Sequence, residues 1–227
     1  MNRIIDFFIN LTKWPVAIFL LLSIPALLES FEHFNYASTK VYAFGGGVLL
    51  YASAILFAGY NTCRNLQVIS HELTHTVFAL LTLHSAGRIR VNPDGSGGSM
   101  QLKGGGNWLI TLAPYFFPLF AFLYMLIMPY LLRASNSSWI IYTVYGFLIA
   151  YYWATVLDQV HPKQTDIIRE GYIFSTIIII GANLYISGIA LAFNSQQWVG
   201  VSKYLRLIAK LNRQYWPQII DYIKLNF

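Results

Sequence analysis

Residues 68–83 read VISHELTHTVFALLTL, an apolar stretch interrupted by two histidines and a glutamate. His71 and His75 are four residues apart, so a helix would place both imidazoles on one face, one turn apart. Two such rings can bind one metal ion, and Glu72 lies beside them, where it can take a proton from a water on that metal. Ionisable side chains within a membrane segment are costly and usually functional. The stretch therefore predicts a zinc site on an apolar helix, with Glu72 as the catalytic base.

The rest of the chain is as apolar as this stretch. Of its 227 residues, 56% are hydrophobic and only 11% are charged, whereas a soluble domain has roughly 25% charged residues. A bilayer is crossed by about 20 apolar residues in a helix. Apolar segments lie near 14–28, 41–61, 66–84, 108–132, 138–157 and 172–193. We therefore expect an all-α, multi-pass integral membrane protein with about six transmembrane helices in one domain, residues 1–195.

Two segments depart from this apolar pattern. Residues 87–106 alternate polar and apolar side chains on both sides of a glycine-rich turn, which predicts a small β-hairpin after the zinc-motif helix. Residues 196–227 carry apolar side chains at helical spacing, with Lys203, Arg206, Lys210 and Arg213 on other faces. This pattern predicts a basic amphipathic tail, either on anionic lipid at the membrane surface or packed on the protein itself. It favours a lipid partner over nucleic acid.

The third zinc ligand must come from elsewhere in the chain. A catalytic zinc usually has three protein ligands and one open position. Of the nine acidic residues, those near the termini, in the first loop and in the hairpin turn are poor candidates. The remaining acids are Asp158, Asp166 and Glu170, and His161 is a rival. His84, at the end of the motif helix, is expected to lie at the membrane interface. The residues alone leave the choice open.

The segment from Leu66 to Phe174 resembles the site-2 protease family of intramembrane metalloproteases, and within it the small bacterial branch. The resemblance rests on the motif of His71 to His75 in an apolar helix and on the glycine-rich turn at residues 92–98. A following apolar segment with Pro114 and Pro118, and a later aspartate, complete it. The resemblance implies a multi-pass protein of a bacterial inner membrane.

The same resemblance implies roles for the motif residues. His71 and His75 would bind zinc together with a distant aspartate, and Glu72 would be the general base. The reaction implied is hydrolysis of a peptide bond, through zinc-activated water, in a transmembrane protein or peptide. This expectation describes an intramembrane endopeptidase with Zn2+ as its cofactor.

For the distant aspartate, the resemblance favours Asp166, with Asp158 as the alternative. The pair Leu157-Asp158 is similar to the start of the family's Leu-Asp-Gly motif, although Gln159 stands where that motif has glycine. Topology argues against Asp166, because His71 and Asp166 would face opposite sides of the membrane if both intervening spans cross fully. Either the segment 108–132, which has three prolines, does not cross simply, or Asp158 or another group is the ligand.

The predicted hairpin is a candidate substrate site. A substrate helix must partly unwind before cleavage, and a strand edge could hold the unwound segment by β-addition. Candidate contacts are Arg88, Arg90, Asn92 and Gln101; the alternative is an ordinary connecting hairpin. Rival functions are a non-proteolytic scaffold or partner-binding relative, a transporter, or a membrane zinc hydrolase with another substrate. A scaffold does not need Glu72, and a transporter of this size usually shows a repeated half.

Overall fold

A computed structural model describes residues 2–92, 97–103 and 105–226, and most of these residues are helical. The helices are α1 (Asn2–Leu11), α2 (Lys13–Ser30), α3 (Thr39–Ala58), α4 (Tyr60–Leu81), α5 (Trp108–Leu112), α6 (Leu119–Ala134), α7 (Ser138–Gln159), α8 (Thr165–Glu170) and α9 (Tyr172–Asn226). Short 3-10 helices lie at Phe31–His33 and Ala113–Tyr115. The two strands are β1 (Ser85–Val91) and β2 (Gly98–Lys103).

Several helices are long and apolar enough to cross a membrane. Among the described residues there are four, within Asn2–His33, Thr39–Phe57, Ser138–Gln159 and Tyr172–Asn226, or five if a bent pair between Trp108 and Ala134 counts as one span. The all-α membrane fold with a small hairpin is therefore confirmed. Four or five candidate spans among the described residues roughly support the predicted number of about six. The predicted third span became α4, which begins at Tyr60 and whose polar residues lower its hydropathy.

The chain bends sharply in the segment predicted to span at 108–132. Helix α5 ends at Leu112, a 3-10 turn follows, and Pro118 precedes α6. The two parts meet at an angle of 76°. A proline has no N–H to donate and clashes with the preceding turn, so a helix cannot continue straight through it. Because of this bend, residues 108–132 do not form one straight helix.

Close packing fixes the helices around the motif helix. An added Cβ at Gly146 of α7 would lie 1.9 Å from the carbonyl oxygen of Phe44 in α3, so only glycine permits this approach. The hydroxyl of Tyr151, also in α7, lies 2.9 Å from both the Leu66 carbonyl and the Ser70 hydroxyl of α4. Helix α7 thus connects α3 to the segment that carries the motif.

The last helix reverses direction at Gln196 and Gln197, which have non-helical backbone angles. After the reversal, Tyr204 packs where a side chain at Gly188 would otherwise lie. The apolar side chains buried by the returning segment are those of Val201, Tyr204, Ile208 and Leu211. Its cations, Lys203, Arg206, Lys210 and Arg213, are exposed. The predicted amphipathic pattern therefore packs its apolar face against the protein and turns its basic face outward.

The hairpin after α4 forms as predicted. Strands β1 and β2 pair antiparallel, with Ile89 opposite Met100 and Val91 opposite Gly98, and the register shifts between Ala86 and Ile89. The predicted turn lies largely outside the described residues. The hairpin packs on α4, so one of its strands can border the site described next.

Candidate metal centre

Helix α4 brings the two motif histidines together at a buried position. His71 and His75 are 5% and 8% exposed, and their Nε2 atoms lie 3.2 Å apart. The four-residue spacing accounts for this, since it places both rings on one helical face. Two ring nitrogens directed at one point form half of a tetrahedral metal site.

Asp166 supplies a third donor atom at the same point. It lies in the first turn of α8, and its Oδ2 atom is 3.6 Å from Nε2 of His71 and 3.3 Å from Nε2 of His75. The three ligand atoms lie within 4.8 Å of one another. The fold thus brings the predicted pair together with the predicted aspartate. The chain between them does not run as two straight spans, since it bends by 76° between α5 and α6.

The spacing of these atoms fits zinc. Zinc binds histidine nitrogen and carboxylate oxygen at about 2.0–2.2 Å in a tetrahedral arrangement, so neighbouring donor atoms should lie roughly 3.3–3.5 Å apart. The three separations of 3.2, 3.3 and 3.6 Å lie within about 0.1 Å of this range. Two imidazoles and one carboxylate are also the donor types that a catalytic zinc uses. The residues therefore fit the metal that the motif predicts.

The backbone of α5 orients the ring of His75. Nδ1 of His75 lies 2.8 Å from the carbonyl oxygen of Ile110. A carbonyl only accepts, so Nδ1 carries the proton and Nε2 presents its lone pair to the metal position. The ring of His71 is held by packing instead, edge-on to Tyr115 at 5.1 Å between centroids. Its Nδ1 has no hydrogen-bond partner among the described residues.

Asp166 is fixed and kept ionised by its neighbours. The Tyr115 hydroxyl donates a hydrogen bond of 3.1 Å to Oδ2 of Asp166. Burial alone would raise the pKa of Asp166, but without a metal the Nε2 atoms of His71 and His75 can carry protons and donate to Oδ2. These hydrogen bonds outweigh burial, and the pKa of Asp166 lies below its ordinary value. An anionic carboxylate is the form that binds a metal.

Glu72 lies beside the three donor atoms at the wall of a cavity of about 460 Å³. The cavity is also lined by Gly98, Ser99 and Met100 of β2, and by His71, His75 and Asp166. Glu72 is itself only 6% exposed. The cavity therefore brings together a possible metal, a carboxylate base and a strand, with room for part of a polypeptide.

The other predicted ligand candidates lie apart from the three-atom cluster. Asp158, near the end of α7, borders the same cavity but does not belong to the cluster. Glu170 pairs with Lys13 at 2.9 Å, and His161 is exposed. His84 is buried, at 2% exposed, and its Nε2 atom lies 3.1 Å from Oδ2 of Asp6. Asp6 is one of the acids near the termini that were poor candidates for a zinc ligand.

The predicted substrate-binding residues lie on the outside of the hairpin. Arg88, Arg90, Asn92 and Gln101 are all exposed, while the cavity wall is formed by other residues of β2. Sequence reasoning missed Tyr115 and the Ile110 carbonyl, since neither carries a motif. An asparagine before an apolar run is a common helix cap, and this signal could have singled out Asn107.

The fold and the site together define a helical membrane protein in which His71, His75 and Asp166 could hold a metal ion beside Glu72. Residues 46–158 match the family described as Peptidase M50B-like. This match supports the site-2 protease-like family that the resemblance predicted, and with it a membrane metallopeptidase kind of activity. The matched segment includes the motif of α4 and ends before Asp166. Neither a curated protein nor a solved structure matches the chain.

Proposed function

We propose that the protein is an intramembrane zinc endopeptidase that hydrolyses a peptide bond of a membrane-protein substrate. The observation that carries this proposal is the convergence of His71, His75 and Asp166 on one point, next to the buried carboxylate of Glu72. Burial of an unpaired carboxylate costs free energy, whereas a carboxylate beside a metal can accept a proton from water. The family match supports the same class of reaction.

In the proposed mechanism, His71, His75 and Asp166 hold the zinc. When bound, zinc polarises the scissile carbonyl and lowers the pKa of water to about 7. Glu72 accepts a proton from the attacking water and later donates it to the leaving amine. The Ile110 carbonyl keeps His75 in the tautomer that can bind the metal. Burial of the site limits access of bulk water and strengthens these electrostatic interactions.

The substrate in this proposal is a transmembrane protein or peptide whose cleaved segment is extended. Among the described residues the sheet has two strands, so β2 has an edge that is not paired with β1. Residues of β2 border the cavity next to Glu72. An extended segment could add to that edge through backbone hydrogen bonds. The exposed Arg88, Arg90, Asn92 and Gln101 would contact substrate outside the cavity.

The membrane setting of the proposed enzyme follows from its apolar helices and basic tail. We assign residues 1–195 to the transmembrane metalloprotease domain and residues 196–227 to a basic tail. The exposed cations of the returning part of α9 would face anionic lipid. The cellular location proposed is the bacterial inner membrane.

Metal analysis combined with a cleavage assay tests the proposal. The wild-type protein should contain one zinc ion per chain, and His71→Ala should lose it because a buried ligand is removed. His33→Ala, which changes a half-exposed histidine in a 3-10 helix, should retain it. Cleavage would be measured by mass spectrometry on a panel of single-span membrane peptides in liposomes, and only zinc-containing proteins should cleave.

Two outcomes of this experiment would contradict the proposal. A wild-type protein without zinc would indicate a scaffold or partner-binding relative. Zinc binding without cleavage of any peptide in the panel would indicate a hydrolase with another class of substrate.

Gly98→Ala is expected to lower cleavage strongly. An added Cβ there would lie 2.9 Å from Cγ of Glu72 and 2.7 Å from Val68, so Glu72 must move away from its position. A displacement of about 1 Å can cost 100-fold in rate. The matched control is Gly97→Ala, whose Cβ would meet no described atom within 4 Å. Equal rates for both variants, measured at equal zinc content, would refute the position assigned to Glu72.

A further inference from the structure

Asp6, in the first helix, is a buried acid that the proposed mechanism does not use. It is 7% exposed, and it lies within the N-terminal candidate span. A carboxylate buried in such a span is costly unless it is fully hydrogen-bonded, and it usually marks a functional position. Its partners therefore indicate what it does.

Each oxygen of Asp6 accepts a hydrogen bond from a different buried residue. Oδ2 lies 3.1 Å from Nε2 of His84, and Oδ1 accepts from Nδ2 of Asn107 at 2.8 Å. Asn107 is 1% exposed. Because a carboxylate can only accept, the amide of Asn107 must turn its NH2 group toward Asp6. Asp6 thereby determines which way the Asn107 side chain faces.

The other end of the Asn107 amide caps helix α5. Its Oδ1 atom accepts a hydrogen bond of 3.1 Å from the backbone N–H of Ile110. An N-cap of this kind stabilises the first turn of a helix. The carbonyl of the same Ile110 accepts from Nδ1 of His75. A continuous chain of hydrogen bonds thus runs from α1, through the cap of α5, to a candidate zinc ligand.

We infer that Asp6 is a positioning residue for the metal centre, which acts through Asn107 and the first turn of α5 to orient His75. This inference rests on the proposed zinc site. It assigns α1, which lies outside the matched segment 46–158, a role in the proposed reaction. Outer-shell partners of metal ligands commonly change metal affinity by about 10–100-fold. Asp6 is two hydrogen bonds further from His75 than the Ile110 carbonyl is, so we expect its removal to weaken zinc affinity by about tenfold.

The test measures zinc dissociation constants of the full-length protein by chelator competition, together with the absorption bands of the cobalt-substituted protein. Asp6→Ala should raise the zinc dissociation constant about tenfold and shift the cobalt bands. Asn107→Asp should do the same, because it sets two carboxylates against each other where the structure has a hydrogen bond of 2.8 Å.

Exchange of the two side chains gives the decisive rescue. In Asp6→Asn/Asn107→Asp, the new amide at 6 donates to the new carboxylate at 107, which still caps Ile110. The new amide oxygen still accepts from His84. Zinc affinity and cobalt bands should therefore return to wild-type values. If Asp6→Ala does not fold, the double variant still tests the inference.

Asn10→Ala is the matched control on the same helix. It removes the bond of 3.2 Å from the Trp108 N–H to Oδ1 of Asn10 without touching the Asn107 side chain, so zinc affinity should stay unchanged. Equal losses in Asn10→Ala and Asp6→Ala, or failure of the exchanged pair to restore affinity, would overturn the inference and leave the proposed function intact. A wild-type protein that binds no zinc would overturn both.

Discussion

Glu72→Gln is expected to abolish peptide cleavage and to leave zinc bound. The substitution keeps the size and shape of the side chain, but an amide cannot accept the proton from water and return it to the leaving amine. Removal of a general base lowers rates by about 100- to 10,000-fold. Zinc should stay, because Glu72 is not among the three converging donors. The measurement pairs zinc content with the cleavage rate of one peptide in liposomes.

The control for this variant is Glu32→Gln, which changes an exposed acid in the 3-10 helix after α2 and should cleave at the wild-type rate. Cleavage by Glu72→Gln at that same rate would refute the role of Glu72 as base. Loss of zinc in Glu72→Gln would also contradict the assignment, since it would make the glutamate part of the metal site.

Asp166→Ala is expected to remove both zinc and activity. Its Oδ2 atom is the only acidic donor in the cluster formed by the described residues, and the substitution leaves two imidazoles to hold the ion. We expect zinc affinity to fall by more than about 100-fold, the upper end of the effect seen for outer-shell partners. Chelator competition and metal analysis of the purified protein measure the change.

Asp158→Ala is the matched control, since Asp158 borders the same cavity outside the cluster. It should keep its zinc. The opposite pattern, with zinc retained in Asp166→Ala and lost in Asp158→Ala, would identify Asp158 as the third zinc ligand. Asp158 is the alternative that the Leu157-Asp158 pair suggested.

The sequence by itself predicted those features that depend on local spacing. His71 and His75 lie on one helical face because four residues make about one turn. The length of the apolar segments predicted a helical membrane protein. One of the predicted spans corresponds to α4, which is not among the candidate spans because its polar residues lower its hydropathy. Alternation around a glycine-rich turn predicted the hairpin, because side chains of a strand alternate between its two faces.

Only the tertiary structure decided how distant parts of the chain meet. The sequence left Asp158 and Asp166 as rivals, and it gave no sign that Asp6 contacts Asn107. These outcomes depend on the 76° bend before α6, on the short helix α8 and on the docking of α1. Bends and docking depend on how side chains from separate helices pack together, and such packing leaves no periodic trace in the sequence.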